Sequence, residues 1–293
     1  MRWRLLKRWV SNPGHDPETS GQLPEYCMAN HKEGVSLKGL GTAFRTLTVI
    51  SWPWGESKNL STSLPWFPIV GLILGLILYT TVHLLRMLPF GKWTAGAAFL
   101  ALLLNVWLTR GLHLDGLADW ADSIGGNLET KRRLEIMRDV HLGTFGVLAL
   151  VLALMAKWLS FEKMISSGAF IYIAVICSLS RSMMVELITT LPYARSGEGM
   201  AKAFIKGASL KYRLISHAIC FGICIPFGPP GIVFFGLAAL ITALFRRRCR
   251  IRFGGITGDL LGTANVMVEI CLIFVCALFS NTILDYTGWM WII

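Results

Sequence analysis

Residues 93–110, WTAGAAFLALLLNVWLTR, are an almost unbroken apolar run, and residues 113–126, HLDGLADWADSIGG, follow it with three carboxylates. The first stretch approaches the length that crosses the hydrocarbon core of a bilayer. The second places Asp115, Asp119 and Asp122 four and three residues apart at the end of that run. If residues 113–123 continue the preceding helix, all three acids fall on one face. Like charges at that spacing repel, and more strongly in a low dielectric. Something positive must offset them.

The rest of the chain repeats the pattern of the first stretch. Of 293 residues, 54% are hydrophobic and 15% charged, with a mean hydropathy of +0.57. A soluble domain carries about a quarter charged residues. Here the charges gather between apolar runs, which indicates an all-α polytopic membrane protein. Seven spans are expected, at 66–88, 93–109, 143–160, 165–191, 212–226, 229–245 and 264–284, with PFGPPG as a tight turn between the fifth and sixth. Residues 1–36 are polar and basic, interrupted by Pro13, Pro17 and Pro24, and read as a flexible or membrane-surface extension ahead of one membrane domain at 37–293. Residues 37–50, LKGLGTAFRTLTVI, read as an interfacial or re-entrant amphipathic helix. The first forty residues hold no signal-peptide h-region. Seven scattered cysteines without a CxxC pair are small hydrophobes, not a disulfide framework or a zinc site.

The net charge of +11 follows from topology and does not call for nucleic acid. Eight Lys and Arg residues lie in 1–65 and five each in 110–142, 192–213 and 246–252, against Arg86, Lys92, Lys157 and Lys163 on the other side and Arg181 within a span. Cytoplasmic loops are rich in Lys and Arg, so the long loops are expected to face the cytoplasm and the C-terminus the outside. HLDGLADWADSIGG, LPYARSGEGMAK and RFGGITGDLLG then share one compartment. A transporter needs access from both sides, whereas an enzyme needs only one, so the count favours an enzyme.

Hard oxygen ligands without His or Cys suit Mg²⁺, with Mn²⁺ or Ca²⁺ as alternatives. Gly116 and Ala118 are expected to leave room for a bulky ligand. LETKRRLEIMRD reads largely as a solvated amphipathic helix, and Asp139 at its end is the expected base or a fourth carboxylate. HLGTFG opens a helix in a way that suits phosphate, although helix packing explains its glycines equally well. Arg181 is either an anion clamp or half of an ion pair with Glu186 or the acidic cluster. Arg195 and Lys202 supply charge to a glycine-containing loop, Thr257 and Asp259 are expected to reach the site from another, and His113 adds a substrate-binding group. Asn265 and Glu269 are expected to hydrogen-bond between helices. Acids for a metal, arginines for phosphates and a one-sided mouth suggest metal-dependent phosphoryl transfer.

HLDGLADWAD, followed by RRLEIMRDVHLGTFGVLALVLALMAKW, resembles the cobalamin synthase family, the adenosylcobinamide-GDP ribazoletransferases. The similarity runs through LPYARSGEGMAKAF and RFGGITGDLLGTANVMVE and covers about residues 40 to 285. It implies an all-helical, multi-pass bacterial inner-membrane enzyme. Such an enzyme joins adenosylcobinamide-GDP to α-ribazole or its 5′-phosphate with Mg²⁺ and releases GMP. The metal-binding acids it implies match Asp115, Asp119 and Asp122; Asp122 and Asp139 are the catalytic candidates, Asp139 on the physical argument alone. Trp120 and Ser123 replace smaller residues expected beside the acids, and the leading segment is longer than usual. Beyond the bilayer and these substrates, a homo-oligomer or an association with another pathway enzyme is compatible with the sequence. A CDP-alcohol phosphotransferase is the nearest rival, but its signature differs in order, since Gly116 follows the first acid. An ion-coupled transporter is the rival from another class.

Overall fold

The computed structural model describes residues 36–288 apart from 52, 54, 56, 89–91, 127 and 198. The extension expected at 1–36 therefore lies outside the described residues, Ser36 excepted. Among the described residues there is no strand, only one bridge between Tyr193 and Ile256.

Helix α1 (Leu37–Leu47) buries Ala43, Phe44 and Leu47 and packs on a 3₁₀ helix, Leu60–Trp66. Gly39 makes that contact, because a Cβ there would strike the Thr62 carbonyl. The expected amphipathic helix is thus present and does not span. The long helices are α2 (Phe67–Arg86), α3 (Thr94–Leu108), α6 (Thr144–Ser167), α7 (Tyr172–Thr190), α9 (Leu210–Cys224), α10 (Pro229–Phe253) and α11 (Gly258–Leu278). Shorter helices are α4 (Leu112–Ile124), α5 (Thr130–Ile136), α8 (Met200–Lys206) and α12 (Ser280–Asp285). Six helical stretches are long and apolar enough to cross a membrane, and the bent pair α3–α4 makes a seventh if it is one broken span.

The bundle is organised around α7. Over its most apolar 18 residues the stretch Ala169–Thr190 is 89% buried, against 28% for the same length within Thr144–Ser167, so α7 is core and α6 is rim. Gly71 and Gly75 of α2 let that helix approach α7 closely, since a Cβ at either would collide with backbone at Cys177 or Ala174. This small-xxx-small spacing is the close-packing device of helices that gain little from apolar burial in lipid. Outer faces carry Phe99, Leu103, Leu148, Leu159, Leu240 and Phe274, as a lipid-facing surface should.

Three expectations change. Residues 113–123 do not continue α3: Arg110 (φ 56) and Gly111 (φ 64) take left-handed conformations, and α4 leaves at 87°. The basic run 246–252 is not a loop, because α10 continues to Phe253 and ends at Gly254 (φ 70). The last span starts at Gly258, not at 264. Lys157 also belongs elsewhere. It was counted on the far side, but it is buried within the bundle.

The loops at one end of the helices are tied together. Ala194 donates to the Ile256 carbonyl and Ile256 to that of Pro192, joining the loop after α7 to the one between α10 and α11. Thr130 at the start of α5 donates to the Arg252 carbonyl at 3.2 Å. The segments with the most polar chemistry therefore meet at one end.

Candidate active site

The acidic helix α4 lies against the first turn of α11. Gly116 permits this, because a Cβ there would meet the Asp259 carbonyl oxygen, and Gly262 passes the His113 backbone closely. Thr263 fixes the register, its hydroxyl donating to the Gly116 carbonyl at 2.9 Å. The expectation that Gly116 and Ala118 leave room for a ligand is therefore corrected: the room is filled by α11, and Ala118 is buried. The carboxyl end of α4 is anchored twice. Arg133, 2% exposed, donates to the carbonyls of Ser123, Gly126 and Leu128 at 2.7, 3.2 and 3.0 Å, capping the otherwise unpaired carboxyl end. Asp122 accepts from the Gly143 and Gly146 amides at 2.8 Å each, at the start of α6.

These contacts sort the three aspartates. Asp122 is the anion at the α6 N-terminus, where the helix dipole favours it, and Gly143 and Gly146 are small because their Cβ atoms would collide with its carboxylate. The helix entrance in HLGTFG thus receives the chain's own carboxylate. Asp115 is exposed and Asp119 partly so. Both feel the negative charge of Asp259, and Asp119 also feels Asp115, Asp122 and the opposing Arg195. Asp115, Asp119 and Asp259 thus form an acidic mouth with one nearby guanidinium.

Arg195 donates to Asp259 at 2.8 Å and to the Met137 carbonyl at 3.3 Å, so the loop after α7 is brought to the mouth as expected. Thr257 is buried and caps α11, its side chain accepting from the Leu260 amide at 3.2 Å. Lys202 is partly buried on α8. Asp139 is exposed in the segment between α5 and α6 and accepts from the His141 amide at 3.1 Å and its Nδ1 at 2.7 Å. These bonds, the amide first, hold its carboxyl below the usual carboxylate range.

Beneath the mouth lies a second charged group. Glu269 of α11 pairs with Lys157 of α6 at 3.1 Å and with Arg181 of α7 at 3.2 Å. Asn105 accepts from Lys157 at 3.3 Å, and Asn265 donates to Glu269 at 3.4 Å. Arg181 is 1% exposed and sealed in the bundle, so its ion pair is with Glu269 and not with Glu186 or the acidic mouth. His113 is buried beside this group, with no hydrogen-bond partner for Nε2 among the described residues. Sequence reasoning missed Arg133 and the pairing of Lys157. A lysine inside an apolar run with a glutamate in another span was the signal for the latter.

Can the mouth hold a metal? Among the described residues no three acidic, histidine or cysteine side chains converge as ligands on one point. The donor chemistry still fits a hard cation shared with substrate, because Mg²⁺ is commonly held by one or two carboxylates plus phosphate oxygens. Asp115, Asp119 and Asp259 are the donors that fit, while Asp122 already accepts two amides. Trp120 and Ser123 have structural roles here. The Trp120 ring packs on Phe245 with centroids 6.2 Å apart, and the Ser123 hydroxyl turns back to the Trp120 carbonyl at 2.7 Å.

Comparison with known proteins agrees with the architecture. The sequence profile of the cobalamin-5-phosphate synthase family matches residues 39–277. An adenosylcobinamide-GDP ribazoletransferase of Chlorobaculum parvum is 40% identical over 251 residues, covering 83% of this chain and 96% of that protein. One of Chlorobium phaeovibrioides is 37% identical over 238 residues, covering 80% and 94%. One of Syntrophobacter fumaroxidans is 36% identical over 247 residues, covering 81% and 97%. No solved structure matches the chain. With its helices, its polar end and these relatives in agreement, the chain belongs to the cobalamin-5-phosphate synthase family and is a membrane-embedded transferase of cobalamin assembly.

Proposed function

We propose that the protein joins adenosylcobinamide-GDP to α-ribazole or its 5′-phosphate, forming a phosphodiester and releasing GMP, at a Mg²⁺-dependent site facing the bacterial cytoplasm. The observation that carries this reading is the excess of carboxylate at the mouth: Asp115, Asp119 and Asp259 with one paired arginine, Arg195. Such a site recruits a divalent cation, and with it a pyrophosphate. A bound Mg²⁺ supplies neutralisation of pyrophosphate charge and polarisation of the reacting phosphorus. One or two of Asp115, Asp119 and Asp259 would hold it, with phosphate oxygens of the substrate completing the set. Arg195, fixed by Asp259 and the Met137 carbonyl, presents its remaining donors to the phosphate that leaves as GMP.

The ribazole 3′-hydroxyl oxygen attacks the phosphorus nearer the aminopropanol arm. A new P–O bond forms there as the bond to the bridging oxygen breaks, and GMP takes that electron pair. Asp139 receives the hydroxyl proton. Its bonds from His141 keep it ionised near neutral pH and ready to accept. Asp122 and Arg133 act by position, holding α4 between α6 and its own carboxyl-terminal turn. Orientation follows from charge: once Lys157 is placed inside the bundle, the loop-bearing side carries 18 Lys and Arg residues among the described residues, against Arg86, Lys92 and Lys163. That side faces the cytoplasm in the bacterial inner membrane, and the C-terminus lies outside.

The test uses the purified chain in detergent or liposomes with adenosylcobinamide-GDP, α-ribazole and Mg²⁺, following GMP and cobalamin by chromatography. Equal amounts of both, abolished by EDTA and by Asp119→Asn, are expected. Products that persist in EDTA overturn the metal, and folded protein that makes none overturns the reaction.

A further inference from the structure

A third charged constellation lies apart from the two described. Glu186, near the end of α7, is shared by side chains from two other helices. Arg246 of α10 reaches it at 3.0 Å, His217 of α9 at 3.2 Å and Arg213 of α9 at 3.7 Å. Ser182 orients His217 from behind, its hydroxyl 3.0 Å from Nδ1. One carboxylate therefore serves two guanidiniums, and a net positive charge remains.

The cluster is neither sealed nor in open loop. Arg246 and Arg213 are 42% and 27% exposed. Leu210 and Leu214 flank Arg213 at i−3 and i+1, both more than half exposed. Lys211 and Arg250 add exposed charge within one turn. Two arginines already ordered by a shared glutamate lose little freedom on binding an anion, and the guanidinium fork suits a phosphodiester. A free phosphate has no use for the leucines beside it. A phospholipid uses both halves of this surface, and basic pockets between spanning helices at the positively charged side bind anionic headgroups.

We propose that Arg213 and Arg246, ordered by Glu186, form a headgroup site for an anionic phospholipid where α9 and α10 meet at the loop-bearing end. The acyl chains lie along Leu214. The site has a route to the acidic helix, because Phe245, adjacent to Arg246, packs its ring on Trp120, adjacent to Asp119. Occupancy holds α10 against α4 and so steadies the mouth. The binding claim stands without the reaction assigned above.

Native mass spectrometry of the full chain, released from nanodiscs of phosphatidylglycerol or of phosphatidylcholine with the same acyl chains, reads the retained lipid directly. The parent is expected to keep phosphatidylglycerol in at least about fivefold excess over phosphatidylcholine, as about one basic side chain's contribution at a membrane surface implies. Arg213→Gln with Arg246→Gln removes that excess. Arg247→Gln with Arg248→Gln, an equal loss of charge outside the cluster, retains it. Where the first pair does not fold, Arg246→Gln alone shows a partial loss. Equal retention of the two lipids overturns the proposal, as does equal loss in both paired variants, which means diffuse charge only. Inorganic phosphate that displaces the lipid at matched concentration overturns the lipid source.

Discussion

Helix α11 serves two charged regions about three turns apart. Near its start, Asp259 joins Asp115 and Asp119, so that several carboxylates face one arginine. Deeper in, Glu269 is the lone carboxylate between Lys157 and Arg181. The inner group is satisfied within the chain: its ions pair with one another, and Asn105 and Asn265 add hydrogen bonds. The outer group is not. Removing a partner from the inner group leaves a buried charge alone, whereas removing an acid from the outer group relieves repulsion. The inner group is therefore expected to carry stability, and the outer one is where the proposed chemistry would lie.

Glu269→Gln should have the largest effect. It strands two buried cations and should cost about 3–5 kcal/mol, read as a lowered Tm in detergent. Parent-like stability would show that the inner ions are not a closed set. Asp119→Asn should do the reverse, leaving Tm unchanged or raised while turnover falls by about 10²–10³-fold, measured as GMP release. Loss of fold in place of turnover would put Asp119 in the structural class.

Gly116→Ala tests the seam between the regions. Its new methyl meets the Asp259 carbonyl, so stability should fall by about 1–3 kcal/mol and turnover with it, as α4 moves off α11. A Tm equal to the parent's would mean that the seam is loose. His141→Ala should be smallest, at less than about tenfold in kcat/KM near neutral pH. The ring's bond lowers the Asp139 carboxyl, so without it more of the base is protonated in acid. The acid limb of the pH profile should therefore move to higher pH. An unmoved limb removes Asp139 as the base.

Much of this was legible in one dimension. Apolar runs separated by charge marked the spanning helices, because a bilayer demands length and composition that no folding detail can replace. Asp115, Asp119 and Asp122 were visible as one stripe, and the structure places Asp259, expected at the same site, near Asp115 and Asp119. Roles were not legible. The stripe gave no hint that Asp122 would cap α6 while its neighbours stayed open, since that depends on Gly143 and Gly146 arriving from another helix. Arg133 looked solvated because its acceptors, carbonyls in the last turn of α4 and just beyond it, appear in no sequence pattern.

Local chemistry written along the chain thus settled membrane class, helix content, the polar end and the family. Turns such as the left-handed Arg110–Gly111 pair, the partners of Arg181 and Lys157, and the division of acids between anchoring and binding came only with packing. The physical reason is range. Hydropathy and helical spacing act within one segment, whereas an ion's partner is chosen by which distant segment can approach. That approach is decided by side chains as small as the missing Cβ of Gly116.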